Sequence, residues 1–411
     1  MSRRYFCSLW TLPFLGGILF GFAAGLCNDR RSYAKRRFSV LFRTCGEQDS
    51  KLSVIGFGGM RFPDQNDVDR CATLVRHAYD RGINYFDTAP GYGKSEELFG
   101  VAFETMLKDR AKRPFYVSSK TFGADPSSVR RDLETSLTRL KIDCIDYYHM
   151  WCILSPEAYA ERKRNGALKE FERLKTEGLV RHLCVSTHMT GADIGPMLAD
   201  YPFESVLLGY SAMNFAYREA GIAAAAAAGR GVVVMNPLGG GVIPREPARF
   251  DFVRTRPEES VVEGALRFII DDPRITVALV GFSSTKEVDE AVSAVDGYRP
   301  LSRDQVATIR SGLTSAFNEL CTGCQYCDEC PQGIPIARYL DAYNHMVLGK
   351  GPQDMLNRMR WHWGLPLDTD LLDRCNQCGR CEKACTQKLP IRKRLADIRL
   401  EIAKAQAAAT P

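Results

Sequence analysis

From about residue 50 onward, apolar residues occur in two alternating kinds of run. Short runs rich in β-branched and aromatic residues predict strands, and longer runs with apolar residues every three or four positions predict helices. Eight strand-like runs occupy residues 51–58, 83–88, 115–120, 145–151, 181–187, 205–210, 231–236 and 276–282. Eight β–α units over about 250 residues are typical of an α/β protein with a (β/α)8 TIM barrel. A doubly wound sheet is the alternative, but GFGGMR (56–61) lacks its G-x-G-x-x-G loop.

The pattern changes after residue 300. One helix is predicted over residues 302–320, and further helical runs surround two groups of closely spaced cysteines. The predicted organisation is an N-terminal segment (1–37), a barrel (38–300), a small α-helical cysteine-rich domain (301–400) and a tail (401–411).

The cysteine groups predict iron–sulfur clusters. The first group, C-x2-C-x2-C-x2-C, contains Cys321, Cys324, Cys327 and Cys330, and the second, C-x2-C-x2-C-x3-C, contains Cys375, Cys378, Cys381 and Cys385. The second spacing is that of bacterial ferredoxins, in which three thiolates bind one cluster and the fourth binds the other. We therefore predict two [4Fe–4S] clusters; a single cluster and structural zinc are the alternatives. Zinc knuckles use pairs of C-x2-C rather than a triple repeat.

The other seven cysteines are scattered through the chain, mostly in apolar runs. They are Cys7, Cys27, Cys45, Cys71, Cys144, Cys152 and Cys184. Small buried thiols in a reducing compartment account for this distribution better than a disulfide framework does.

The net charge of +6 is concentrated at the N-terminus. Residues 1–37 hold seven of the 55 basic residues and one of the 49 acidic residues, which leaves 48 of each in the rest of the chain. A body with no net charge does not favour nucleic-acid binding, which needs a basic face.

The N-terminal segment has three interpretations. Arg3 and Arg4 resemble a twin-arginine export signal, and the uncharged run 5–27 is long enough to cross a membrane. Five basic residues follow this run and two precede it, which favours a cytoplasmic location for the large C-terminal part. We expect a cytoplasmic protein, with twin-arginine export and membrane anchoring as the alternatives. The third interpretation of the segment is that the true start lies downstream of Met1. Membrane contact is expected only if the run is retained.

Polar residues lie at the predicted strand ends, where barrel active sites are built. Asp87, Lys120 and His149 end or nearly end three consecutive strands, and Tyr92 follows Asp87. A tyrosine can protonate a carbonyl oxygen if a nearby ammonium makes its ionised form accessible. We predict Tyr92 as the proton donor, Lys120 as its charged neighbour, Asp87 as the group that holds Lys120, and His149 as an orienter of the carbonyl.

With the motifs VIGFGGMRFP, NYFDTAPGYGKSEELFG, YVSSK, VMNPLGGG and LVGFSS, these residues resemble the aldo/keto reductases, specifically the branch with a C-terminal ferredoxin-type domain. The resemblance covers roughly residues 42–400. The D-x4-Y spacing, with Lys 33 residues after Asp, matches the family's catalytic pattern onto Asp87, Tyr92 and Lys120. The resemblance implies a TIM barrel that binds NADPH or NADH across its mouth and reduces a carbonyl by hydride transfer.

The resemblance also implies cofactor contacts, with some departures. The implied cofactor-binding residues are Gly58, Ser186, Thr187, Asn236, Leu238, Gly281, Ser283 and Ser284. Thr187 replaces the Asn that binds the nicotinamide carboxamide, and Trp151 stands where the family usually has its catalytic His. After the last strand only Lys286 is basic, so the choice between NADPH and NADH stays open.

The predicted function is an NAD(P)-dependent aldo/keto reductase that acts on a small-molecule carbonyl and carries two clusters. Hydride transfer moves two electrons whereas a cluster moves one, and the sequence shows no flavin motif. The clusters are therefore either structural or pass electrons to a partner protein. The alternative is an iron–sulfur electron-transfer or redox-sensing protein with a non-catalytic barrel.

Overall fold

The computed structural model describes residues 40–189, 191–213, 215–312 and 319–409. The twin-arginine-like pair, the uncharged run 5–27, Cys7 and Cys27 lie outside the described residues. In the described part of the chain, no helix combines the length and apolarity needed to span a bilayer.

Eight parallel strands close into a barrel, which confirms the predicted fold. Each strand pairs with the next one in the chain, and the last pairs with the first. A short antiparallel hairpin, β1 (Phe42–Thr44) and β2 (Lys51–Ser53), precedes the barrel. The barrel strands are β3 (Ile55–Gly58), β4 (Tyr85–Asp87), β5 (Tyr116–Thr121), β6 (Ile145–Ile153), β7 (Val180–Thr187), β8 (Ser205–Gly209), β9 (Gly231–Met235) and β10 (Val277–Val280).

Helices follow the strands, and local sequence signals mark where several of them begin. Asp125 caps the helix that starts at Pro126, and Ser260 forms a capping box with Glu263. The helices of this part are α1 (Val68–Asp80), α2 (Ser95–Met106), α3 (Pro126–Leu140), α4 (Pro156–Arg164), α5 (Ala167–Thr176), α6 (Gly191–Asp200), α7 (Phe215–Ala227), α8 (Val242–Arg245), α9 (Val261–Ile270), α10 (Thr285–Ser293) and α11 (Arg303–Gly312).

The barrel has two apolar layers, because strand residues alternate between its inside and its outside. Tyr85, Tyr147 and Leu207 belong to the inner layer, which Cys45 and Leu52 of the hairpin region join. The larger outer layer lies between the strands and the helices. The predicted burial of Cys45, Cys71, Cys152 and Cys184 is confirmed, while Cys144 is half-buried, and all five thiols are free of disulfides.

Strand β6 ends in a bulge that shapes the mouth of the barrel. Its pairing with β7 shifts register between Met150 and Ile153, and Cys152 has a φ of 57°. Such bulges re-aim side chains beside active sites, and a positive φ is uncommon outside glycine. Here Trp151 and Cys152 pack with Ala89 in a small apolar cluster at the mouth.

The cysteine-rich domain is helical, as predicted. Its helices span Ile336–Val347, Pro352–Asn357, Asp370–Asp373, Arg380–Ala384 and Ile391–Ala409. Tyr339, Leu340 and Ile398 form its core together with Cys321 and Cys385. The last helix runs on through residues 401–409, because its apolar face continues to the buried Ile402.

The cysteine-rich domain packs on the barrel through specific contacts. The Lys350 ammonium lies 2.6 Å from the Glu246 carboxylate, and the Arg249 guanidinium donates to the Leu348 carbonyl oxygen. Arg61 donates to the Gly323 carbonyl oxygen at 3.3 Å. At Gly240 the backbone of the loop after β9 comes so close to Thr322 that a side chain would not fit.

We expect Gly240→Ala to weaken this packing. The added methyl would lie 2.1 Å from the Thr322 carbonyl oxygen, and φ at this position is +66°. Gly178→Ala is the matched control, since Gly178 has a φ of +78° and no atom within 4 Å of an added methyl. Both variants carry the cost of a left-handed alanine, about 1–2 kcal/mol. Overpacking should lower the free energy of unfolding of Gly240→Ala by about 1–3 kcal/mol more. Urea unfolding measures this difference. Equal losses of unfolding free energy in the two variants would show that the loop after β9 moves to accept the methyl group without cost.

Candidate active site and cluster-binding residues

A cavity of about 350 Å³ lies at the C-terminal ends of the barrel strands. Its size is that of a small-molecule or cofactor site. Gly58, Asp87 and Gly281 line it from the ends or just beyond the ends of β3, β4 and β10. Tyr92 lies on the same wall, and Cys324 and Tyr326 of the cysteine-rich domain complete the lining. The cavity is therefore built by two domains.

Asp87 and Lys120 form a buried ion pair beside this cavity. The Lys120 ammonium donates to Asp87 Oδ1 and to the Thr88 carbonyl oxygen, each at 2.6 Å. The Ser118 hydroxyl donates to the other carboxylate oxygen at 2.7 Å. Burial lowers the pKa of Lys120, and the Asp87 charge opposes that shift. The structure thus brings together the two residues that we predicted to pair.

The ring of Tyr92 lies against this pair. The Lys120 ammonium is 4.9 Å from the centroid of the Tyr92 ring, which is cation–π distance. We expected Lys120 to make the ionised phenol accessible. Instead, burial raises the pKa of Tyr92 well above its usual range, with the nearby Tyr326 and Asp87 adding to the effect. Tyr92 is therefore held as a protonated phenol at the cavity wall.

His149 lies behind the ion pair and has no exposed surface. Its Nδ1 is 3.3 Å from Ser118 Oγ, and because that hydroxyl donates to Asp87, the imidazole is the donor to the serine oxygen. Among the described residues, its Nε2 has no hydrogen-bond partner. Burial, followed by the Lys120 charge, lowers the pKa of His149 to about 3. In this position His149 supports Asp87 through Ser118.

Trp151, in the position where the catalytic His was expected, packs against the cavity-lining residues Tyr92 and Tyr326. Its indole N–H donates to the Tyr326 hydroxyl at 3.3 Å. Its ring meets Tyr92 edge-on at 5.5 Å and stacks on Phe122 at 3.8 Å between centroids. The sequence did not reveal this aromatic group, because Trp151 and Tyr326 are 175 residues apart.

His188 is a second residue that sequence reasoning missed. It lines the cavity, is almost fully buried, and its ring lies 5.4 Å from that of Tyr326. Its place directly after Thr187, which ends β7, could have indicated it, because barrel active sites are built from such positions.

Some of the predicted cofactor-binding residues line the cavity, and others have hydrogen bonds or burial elsewhere in the barrel. Gly58, Asn236, Leu238, Gly281 and Ser283 line the cavity. The hydroxyl of Thr187 is bound to backbone, donating to the Ile153 carbonyl and accepting from the Met189 N–H. Ser186 is buried at the end of β7, and Ser284 caps α10 by accepting from the Glu287 N–H.

The eight clustered cysteines fall into two sets that cross between the groups. Cys330 of the first group shares a small cavity with Cys375, Cys378 and Cys381 of the second. Cys385 of the second group is buried in one core with Cys321 and Cys327, and the Cys324 sulfur lies 3.4 Å from the hydroxyl oxygen of Thr386, the residue after Cys385. This grouping is consistent with the ferredoxin arrangement, in which three ligands come from one group and the fourth from the other.

The surroundings of the cysteine sulfurs suit cubane clusters. The Gly323 N–H and the Leu389 N–H each lie 3.4 Å from a cysteine sulfur, of Cys321 and Cys385 respectively. Such hydrogen bonds to sulfur are typical of cluster sites. In the part of the chain that is described, no three His, Cys, Asp or Glu side chains converge on one point as ligands of a single ion would. A cubane needs no such convergence, since each thiolate binds a different iron.

The fold and the site define an oxidoreductase of a known class. The chain belongs to the aldo/keto reductase family, whose sequence pattern matches residues 54–313. A 4Fe-4S dicluster domain matches residues 320–390, so both predicted parts of the resemblance are confirmed.

Relatives and solved structures agree with this assignment. The chain is 26% identical to L-galactose dehydrogenase of Arabidopsis thaliana over 303 residues, 65% of this chain and 91% of that protein. It is 23% identical to an uncharacterized oxidoreductase, YqkF, of Bacillus subtilis over 66% of this chain and 95% of that protein. The holo form of aldo-keto reductase AKR11C1 from Bacillus halodurans matches with a TM-score of 0.56 and 23% identity, over 67% of this chain and 97% of that structure. That likeness supports the barrel fold.

We expect the pH dependence of stability to report the burial of His149. With a folded pKa of about 3 against an ordinary value of 6.5, the unfolded chain binds a proton that the folded protein does not. The free energy of unfolding should therefore fall as pH drops below about 6.5, by up to about 1.4 kcal/mol per pH unit. In His149→Gln this contribution disappears, so urea unfolding between pH 7 and pH 5 should give a shallower slope. Equal slopes in both proteins would contradict the neutral, buried imidazole.

Proposed function

We propose that this protein is an NAD(P)H-dependent reductase that converts a small-molecule carbonyl to an alcohol at the barrel mouth and carries two [4Fe–4S] clusters. The observation that supports it most is the buried Asp87–Lys120 pair with the Tyr92 ring packed on its ammonium. The three residues match the family's catalytic spacing; Asp87 and Tyr92 line the cavity, and Lys120 is buried against both of them.

Tyr92 is the proton donor in this proposal. A phenol is protonated at neutral pH, and it can give its proton to the carbonyl oxygen as that oxygen gains negative charge. The Lys120 ammonium lies close enough to stabilise the phenolate that forms, and it is held there by Asp87 and Thr88. His149 acts as a positioning residue, since it reaches Asp87 only through Ser118.

A reduced nicotinamide, NADPH or NADH, fits the remaining lining of the cavity. When bound, it supplies the hydride. Gly58 and Gly281 leave the strand ends free of side chains, which allows a flat ring to approach the backbone. Asn236, with a φ of 57°, also lines the cavity. The Arabidopsis relative is named L-galactose dehydrogenase, which is consistent with oxidoreductase chemistry on a small molecule.

The two crossed cysteine sets would hold the clusters. Cys321, Cys324, Cys327 and Cys385 would bind the one beside the cavity, and Cys330, Cys375, Cys378 and Cys381 the other. The exposure of Cys378 places the second set nearer to solvent.

Tyr92→Phe tests the proposed chemistry. The change keeps the ring on Lys120 but removes the proton donor, so kcat for aldehyde reduction should fall at least about a hundredfold. Nicotinamide affinity, measured by fluorescence quenching, should stay nearly constant. Tyr116→Phe is the control, because Tyr116 begins β5 at the opposite end of the barrel. Reduction by Tyr92→Phe at near wild-type rate would remove this mechanism and favour the electron-transfer alternative.

Metal analysis of anaerobically prepared protein tests the clusters. Two cubanes give about eight irons per chain with matching sulfide. Cys378→Ala should lose iron, whereas Cys71→Ala should keep it, because Cys71 lies in the barrel's outer layer. Stoichiometric zinc without sulfide, or equal loss of iron from both variants, would contradict the assignment.

A further inference from the structure

The segment 321–326 of the cysteine-rich domain touches the rim of the barrel on several sides. Arg61, in the turn after β3, donates to the Gly323 carbonyl, and the loop after β9 meets Thr322 at Gly240. Trp151 at the end of β6 donates to the Tyr326 hydroxyl. The segment is therefore fixed across the mouth of the barrel, and Tyr326 is the residue that it places in the cavity.

Tyr326 forms an aromatic wall together with residues of the barrel. It packs with Trp151, Cys152 and the proton donor Tyr92 in one apolar cluster. Its other side meets the His188 ring at 5.4 Å. This packing holds the ring at the point where a substrate would approach Tyr92, and the Tyr326 hydroxyl also accepts from the Trp151 indole N–H.

We propose that Tyr326 is a specificity-determining residue of the carbonyl site and favours substrates whose carbonyl is attached to a flat, apolar group. The proposal rests on the proposed function. Aromatic rings pair by edge-to-face or offset contacts, and Tyr92 and Tyr326 line one cavity while Trp151 packs behind them. An aryl aldehyde gains these contacts while its oxygen reaches Tyr92, whereas a short aliphatic aldehyde does not.

The neighbouring cluster ligands give this wall its position. Tyr326 lies between Cys324 and Cys327, which belong to the same cysteine set. Ligation of both would fix the backbone on either side of the tyrosine. The cysteine-rich domain thus contributes a side chain to the reductase site.

Kinetics with 4-nitrobenzaldehyde and propanal test the proposal. In Tyr326→Ala the ratio of kcat/KM for the aryl over the aliphatic aldehyde should fall about three- to tenfold, mainly through KM for the aryl substrate. Tyr326→Phe keeps the ring and should keep the ratio. Tyr343→Ala is the matched control, because it makes the same change in the same domain at a tyrosine bound to Asp397 and outside the cavity lining. Iron content is measured for every variant.

Binding of benzoate, which is not reduced, provides a second measurement by calorimetry on cluster-loaded protein. Its Kd should rise about three- to tenfold in Tyr326→Ala and stay constant in Tyr326→Phe and Tyr343→Ala. An unchanged substrate ratio and benzoate Kd in Tyr326→Ala at wild-type iron content would overturn the proposal. If the wild type reduces neither aldehyde with NADPH or NADH, the proposed function fails instead, and the benzoate series still decides whether Tyr326 shapes the cavity.

Discussion

The buried ion pair between Asp87 and Lys120 is the interaction on which the site depends. Both side chains are almost completely shielded from water, so each charge has lost most of its hydration. The loss is offset by close contacts, since Lys120 has two oxygen acceptors at 2.6 Å and Asp87 also accepts from Ser118. Removing one partner of such a pair typically costs about 3–5 kcal/mol, because the other charge stays buried alone. A pair this expensive is better explained by the chemistry of the neighbouring Tyr92 than by a need for stability.

The same pair sets the state of the residues around it. Its ammonium lies near His149 and, together with burial, keeps that imidazole neutral. A neutral His149 can donate to Ser118 from one nitrogen only, which fixes its tautomer and leaves the serine hydroxyl to donate to Asp87. The hydrogen bonds therefore run in one direction, from His149 through Ser118 to Asp87. The carboxylate at the end of this chain then holds Lys120 against the Tyr92 ring.

The sequence predicted those features of the fold and site that depend on residues close together in the chain or on the shared direction of parallel strands. The alternation of strand-like and helix-like runs predicted the barrel. The positions of Asp87, Tyr92 and Lys120 predicted which side chains meet, because the parallel strands of a barrel all end at the same rim. The spacing of the cysteines likewise predicted crossed ligand sets, which agree with the cavity shared by Cys330 and the second group. The register shift in β6 left no such signal, since it arises from pairing with β7 rather than from the residues of the strand itself. The contact between Trp151 and Tyr326 depends on how two domains dock, and no local propensity encodes that.

The contact between the cysteine-rich domain and the barrel also offers a reason why a barrel that transfers hydride would carry clusters. A cluster moves one electron at a time and a hydride carries two, so a cluster contributes nothing to hydride transfer without an intermediary. A cluster that only holds the cavity wall in place needs no electron transfer. The segment that carries Cys321, Cys324 and Cys327 also carries Tyr326, and it is fixed to the barrel rim at Arg61, Trp151 and Gly240. A cluster bound there would act as a rigid crosslink behind the cavity wall, much as structural metals fix short loops that lack a core of their own. On this argument a cluster bound beside the cavity would form one structural unit with the proposed reductase site, while one bound near the exposed Cys378 would stand apart from it.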